Sequence, residues 1–238
     1  MAGSSIAQRL NQLDWKVAEE NLWKLGHAVT APVLTRPECE DLIALYGDEQ
    51  HFRKKIEMGP RRFGEGDYQY FKYPLPAIVQ ALRIRLYPRL APIANRWMEA
   101  LRAEERYPEN LREFLARCHR NGQTRPTPLL LHYEAGGYNC LHQDLYGALA
   151  FPLQVTAFLS RPTEEYSSGA FLLLEQRPRA QSMCDALIPE QGALVIFATR
   201  MRPEPGKFGY RRVQLRHGVS RVGSGSRYTL GIIFHDAK

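Results

Sequence analysis

The stretch YEAGGYNCLHQDLYG, residues 133–147, places His142 two positions before Asp144 among Gly, Tyr and Leu, a texture of strand edge and turn rather than helix. In a strand, residues i and i+2 project from one face, so the two side chains can reach a single ion from one edge. Solvated turns at strand ends carry the same pair, so its surroundings decide the reading. After Pro128, short segments rich in Val, Ile, Leu, Phe and Tyr alternate with Gly, Pro and Ser turns: LLLHYE, YNCLH, FPLQVTAFLS, GAFLLLEQ, GALVIFA, RVQLRHGV and RYTLGIIFHD. Seven or eight strands at that spacing predict a β-sandwich or barrel over residues 126–238.

Residues 1–125 read as a mainly helical extension. Asp14 can cap a helix that Gly26 stops, HAVTAPVL reads as a short strand, and Thr35 with Glu38 forms a capping box for a helix to about Tyr46. From Pro76 to about Glu105 apolar residues recur every three or four positions, predicting one long helix or two, interrupted near Pro88 and Pro92. A further helix covers about Glu109 to Cys118. The fold class expected is therefore α+β, with helices buttressing a C-terminal β core.

Only seven histidines are available, and His217 closes the alternating segment RVQLRHGV inside the β half. Two histidines and a carboxylate make the facial donor set of non-haem Fe(II) sites, which leaves positions open for other ligands; zinc accepts the same donors. Arg227 opens the last apolar strand ten residues after His217, with Thr229 two positions on. A guanidinium beside a hydroxyl can grip a carboxylate in an apolar interior, and burying it without an anion would be costly.

The combination His142-x-Asp144, His217 and Arg227-x-Thr229 resembles that of the Fe(II)/2-oxoglutarate dioxygenases, whose fold is a double-stranded β-helix, or jelly roll. The resemblance covers about residues 126 to 238. It implies that His142, Asp144 and His217 bind Fe(II) and are the catalytic centre, and that Arg227 and Thr229 hold the distal carboxylate of 2-oxoglutarate. It also implies that Tyr133 donates to that cosubstrate, and that molecular oxygen is consumed in hydroxylating a C–H bond. Within this superfamily Leu141-His142-Gln143-Asp144 is similar to the AlkB-type oxygenases, and RFGEGDYQYF, FPLQ, EQRPR and RHGVS look like a bacterial group linked to oxidative demethylation of damaged DNA. AlkB-type chains usually carry a second arginine where this one has Ile233, and the spacing from His217 to Arg227 is closer to the prolyl-hydroxylase branch.

Charge adds a physical argument about substrate. The net charge is +7, and only seven of the 32 basic residues are lysines; such a balance favours polyanions, although base composition of the genome can also enrich arginine. Residues 52–73 interleave Arg53, Lys54, Lys55, Arg61 and Arg62 with Phe63, Tyr68, Tyr70 and Phe71. Cations can meet phosphates while aromatic faces stack a base, so Arg61, Arg62, Phe63, Tyr68 and Tyr70 are the expected substrate contacts on a possible lid. The same residues could simply pack a loop onto the core. Arg177, Arg179 and the run Arg200, Arg202, Arg211 and Arg212 share that ambiguity. Alkylated DNA or RNA is the first expectation for substrate, a protein or peptide hydroxylated in the prolyl-hydroxylase manner the second, and an inactive jelly-roll binding module the non-enzymatic one. Cys39, Cys118, Cys140 and Cys184 form no C-x-x-C pair, no apolar run is long enough to cross a bilayer, and no secretory signal pattern opens the chain, so a cytoplasmic location is expected.

Overall fold

The computed structural model describes residues 4–177 and 179–238. Its helices begin where local chemistry supplies caps. In α1 (Ile6–Asn11), Ser5 and Gln8 form a reciprocal capping box; in α2 (Trp15–Leu25), Asp14 accepts from the Val17 amide at 3.0 Å. Gly26 ends α2 in the left-handed conformation at φ 77° and turns the chain into the three-residue β1 (His27–Val29). The Thr35–Glu38 box opens α3 (Arg36–Ala44), whose last turn tightens into 3-10 geometry at Leu45–Gly47.

The expected break at the prolines does not occur: α4 (Ala77–Ala100) runs uninterrupted through Pro88 and Pro92. Both prolines lie on the exposed side of the helix, four residues apart. The carbonyls that lose an amide partner there face water, while the opposite side buries Leu82, Leu86, Leu90 and Trp97. Burying each such leucine is worth roughly 1.5–3 kcal/mol, enough to hold the helix across the defect. The last helix, α5 (Leu111–Arg120), is capped by Asn110.

Residues 52–71 correct the helical reading of the first half. They form β2 (Phe52–Glu57), β3 (Gly64–Glu65) and β4 (Asp67–Phe71). The charged look of FRKKIE hides its pattern, because Phe52 and Ile56 point inward while Lys54 and Lys55 are exposed. The second half supplies β5 (Leu129–Glu134), β6 (Tyr138–His142), β7 (Leu153–Phe158), β8 (Tyr166–Ser168), β9 (Phe171–Gln176), β10 (Met183–Leu187), β11 (Leu194–Ala198), β12 (Met201–Gly206), β13 (Gly209–Val219) and β14 (Val222–Ile232).

These strands pair antiparallel throughout. A major sheet runs β1-β11-β7-β14-β5-β4-β2, with β8 on β14; a minor sheet runs β10-β9-β13-β6-β3, with β12 on β13. The boundary expected at residue 125 does not separate the sheets, since β1, β2 and β4 extend the major one and β3 the minor one. The result is an antiparallel jelly-roll sandwich with helices on one side.

Alternation in β7 shows how the layers are built. All six residues are buried. Leu153, Val155 and Ala157 join the core shared with α4, whereas Phe158 packs between the sheets with Phe171, Phe197 and Val219. At the C-terminal end, Arg83 of α4 donates to the Ile233 and Phe234 carbonyls and to Asp236 Oδ1 at 2.8 Å, with Tyr73 and His119 also on that carboxylate. This network fastens the end of the major sheet to α4 and α5.

Candidate active site

The register of two neighbouring strands creates the site. β6 and β13 run antiparallel with His142 opposite His217, and a bulge interrupts the ladder between His217 and Val219. Gly218 sits in that bulge, where an added Cβ would lie 2.6 Å from the Asn139 carbonyl oxygen. Only glycine lets the strands approach closely enough to bring the rings to 4.2 Å between centroids. β6 ends at His142, so Asp144 lies on the connection beyond it rather than within the strand. Its carboxylate nonetheless meets both rings, at 3.5 Å from His142 Nε2 and 3.1 Å from His217 Nε2. The intervening Gln143 explains how: its amide donates to the carbonyls of Leu215 at 2.7 Å and Arg200 at 3.1 Å, pinning the turn against β13.

One ligand atom from each of His142, Asp144 and His217 falls within 4.8 Å of the other two. The Cys140 carbonyl accepts from His142 Nδ1 at 2.8 Å, which leaves Nε2 as the lone-pair nitrogen facing Asp144. His217 is wedged against Phe197 at 4.9 Å and Phe171 at 5.9 Å. Tyr146 donates to Asp144 Oδ1 at 2.5 Å and so fixes the carboxylate from behind. Burial opposes charge on Asp144, but His217 and His142 outweigh it and hold the carboxyl well below its ordinary range. For His217, burial and the neighbouring His142 lower the pKa; for His142, burial is overcome by Asp144 and its pKa rises. An anionic oxygen and two imidazoles thus converge from one side, a donor set that fits a divalent ion such as Fe(II) and leaves its other side open.

A cavity of about 390 Å³ opens from these residues between the sheets, lined also by Tyr133, Thr156 and Thr229. Arg227 stands behind that lining, 1% exposed, its guanidinium carbon 5.6 Å from the Tyr133 ring, 5.4 Å from Phe158 and 5.8 Å from Tyr166. None of its three nitrogens has a hydrogen-bond partner among the described residues. Burial lowers its pKa, and Tyr133 and Tyr166 partly restore it. A cation sealed this way wants an anion, and a carboxylate entering past Tyr133 and Thr229 fits that need. Burial pushes the Tyr133 hydroxyl up to about 12, so it stays protonated and able to donate while accepting from Asn139 at 3.2 Å.

The expected substrate residues divide. Arg62, Phe63 and Tyr68 line the cavity, and Phe63 is 47% exposed at its mouth. Tyr70 is buried beside Tyr68 and Tyr146, with Arg53 over its face at 4.5 Å, so it supports the wall. Arg61 is exposed and donates to the Glu57 carbonyl at 3.2 Å, outside the cavity lining. The segment expected as a lid is anchored by strand pairing of β2 to β4, β4 to β5 and β3 to β6.

Sequence reasoning missed Tyr146, Asn139 and Gln154. Tyr146 continues the alternate spacing of His142 and Asp144, a usable signal. Gln154 is the polar residue in the apolar run FPLQVTAFLS; it lines the cavity 2% exposed, and its Nε2 has no partner among the described residues.

The model of the Oxygenase-NA family, described as an oxygenase catalysing oxidative methylation of damaged DNA, matches residues 66–237. Uncharacterized proteins of Mycobacterium tuberculosis, from strains CDC 1551 / Oshkosh and ATCC 25618 / H37Rv, are each 48% identical over 167 residues, 70% of this chain and 72% of the relative. Among solved structures, a prolyl-4-hydroxylase of Pseudomonas putida superposes with a TM-score of 0.57 at 13% identity, covering 94% of this chain and 99% of that one. An oxidoreductase of the 2OG-Fe(II) oxygenase family from Burkholderia pseudomallei gives 0.55 at 12% identity, with 95% and 93% covered. At these identities the structural likeness is one of fold.

Proposed function

The chain belongs to the Oxygenase-NA family, enzymes here carried on the fold of the 2-oxoglutarate-dependent dioxygenases, and from that premise we propose that it removes alkyl groups from damaged nucleic-acid bases. The observation that carries the chemistry is the pairing of two features at one cavity: the converging His142, Asp144 and His217, and the orphaned cation of Arg227 behind its wall. The family match and the basic and aromatic mouth of Arg62, Phe63 and Tyr68 support the substrate.

The residues divide the work. His142, Asp144 and His217 would hold Fe(II), with Tyr146 keeping the carboxylate turned toward it. Arg227 would neutralise the distal carboxylate of 2-oxoglutarate, while Thr229 and Tyr133 offer hydroxyls along the way. When bound, Fe(II) with 2-oxoglutarate and molecular oxygen supplies the oxygen atom inserted into a C–H bond, the cosubstrate leaving as succinate and carbon dioxide. Phe171, Phe197 and Val219 keep bulk water from the reacting centre. On an N-methyl base the inserted oxygen gives a hemiaminal, N–CH2OH, whose C–N bond breaks to release formaldehyde and return the proton to nitrogen. The net change is therefore demethylation.

The test is product release from the iron-loaded enzyme with N-methylated single-stranded oligonucleotides and, in parallel, proline-containing peptides. Formaldehyde equal to succinate on the oligonucleotide is the expected result. Succinate coupled only to the peptide would overturn the nucleic-acid reading in favour of peptide hydroxylation.

A further inference from the structure

A second cavity, of about 550 Å³, lies beside the first, between the C-terminal end of α4, α5, the connection after Asp144 and the start of the β12–β13 hairpin. The two share a partition. Gln143 lines the active-site cavity and donates to the Arg200 carbonyl, and Arg200 lines the second groove. Leu145, next to Asp144 and 44% exposed, forms part of its floor with Leu149 and Met201.

The rim of this groove is cationic. Among the described residues, Arg106, Arg117, Arg200 and Arg212 line it against a single acid, Glu105. Within the run noted in the sequence, the arginines separate by role: Arg202 is buried on Glu175 at 2.6 Å and Arg211 is paired with Glu204, whereas Arg200 and Arg212 are exposed and have no acidic partner among the described residues. Arg106 and Arg117 donate only to backbone carbonyls, at 2.7–2.8 Å, which fixes their position without neutralising their charge. Four held or free cations around an apolar floor match a strand that presents phosphates outward and base faces inward. A duplex, with its base faces stacked away, would leave the floor unused.

We propose that this arginine-rimmed groove is the track for the single-stranded nucleic acid flanking the target base, so that the strand runs from the active-site mouth past Leu145 to Arg200 and Arg212. The inference rests on the nucleic-acid reading above and adds the path of the strand. Arg212 lies five residues from His217 along β13, roughly 17 Å at strand rise, so the track spans several nucleotides rather than one. Short substrates would consequently forfeit contacts that longer ones make.

The experiment measures binding of a fluorescein-labelled single-stranded deoxyoligonucleotide, carrying one N-methylated base, to the full chain across a salt series. The double substitution Arg200→Gln and Arg212→Gln is expected to weaken binding roughly tenfold at low salt and to reduce the slope of log K against log salt by about 1.4, near 0.7 for each lost phosphate contact on a single strand. Arg85→Gln, on the exposed side of α4, serves as the control for loss of surface charge away from the groove and is expected to leave the slope unchanged. Oligonucleotide-independent 2-oxoglutarate consumption should be the same in all variants, which separates the groove from the metal site. Wild-type slope in the double variant, or an equal loss in Arg85→Gln, would overturn the track while leaving the substrate reading intact. Failure of the wild-type chain to bind the oligonucleotide at any salt would overturn both.

Discussion

Arg227 carries a charge that no described residue meets, and this makes its substitution informative in two directions. Replacing a buried, unpaired cation by an apolar side chain of similar bulk relieves desolvation, so Arg227→Leu is expected to raise the melting temperature of the cosubstrate-free chain. The same change should weaken 2-oxoglutarate by roughly thirtyfold or more, the scale of truncating one partner of a buried charge pair. Thermal shift with and without 2-oxoglutarate reads both effects: at one ligand concentration the native chain should be stabilised more than the variant. Asp144→Ala removes the only carboxylate of the donor set and should abolish turnover together with metal uptake, measurable by Fe(II) titration under anaerobic conditions. Tyr146→Phe tests the support behind it. Loss of that hydrogen bond is expected to cost about 10–100-fold in metal affinity, the usual range for a group that orients a ligand.

At the level of single elements, the metal-ligand candidates were legible because their donor chemistry is written in the sequence, although Asp144 reaches the pair from the connection after β6 rather than by strand parity. His142, Asp144 and His217 do converge, and Thr229 and Tyr133 do line one cavity. Other features could not be read there. The charged face of β2 masked a strand whose inward residues are only Phe52 and Ile56. The prolines of α4 signalled a break that their exposed side made unnecessary. The bulge at Gly218 depends on how close β6 comes to β13, which is a tertiary fact. Gly218→Ala is expected to cost about 1–3 kcal/mol through overlap with the Asn139 carbonyl and to separate the two histidine rings. Denaturation by urea measures the first effect. Metal titration of the folded fraction measures the second.

For the molecule as a whole, stability should depend on acid through His235. Its ring is fully buried, its Nδ1 accepts from the Phe151 amide at 3.2 Å, and burial lowers its pKa to about 4. The unfolded chain takes up a proton near pH 6.5 while the folded one resists, so stability is complete above that value. It should fall as pH drops from 6.5 toward 4, by about 3 kcal/mol. His235→Gln should flatten this dependence in melts recorded at pH 7 and pH 4.5. The division into sheets has a separate consequence. His142 and His217 belong to the minor sheet, whereas Arg227, Thr229 and Tyr133 belong to the major one. A diacid gripped at both ends would be a strut between two leaves that otherwise meet mainly through greasy contacts such as Phe158 with Phe171, with the Asn139–Tyr133 hydrogen bond beside them. Amide exchange in β13 and in β14 should then slow in step as the strut is filled, coupling two leaves whose strands share no ladder among the described residues.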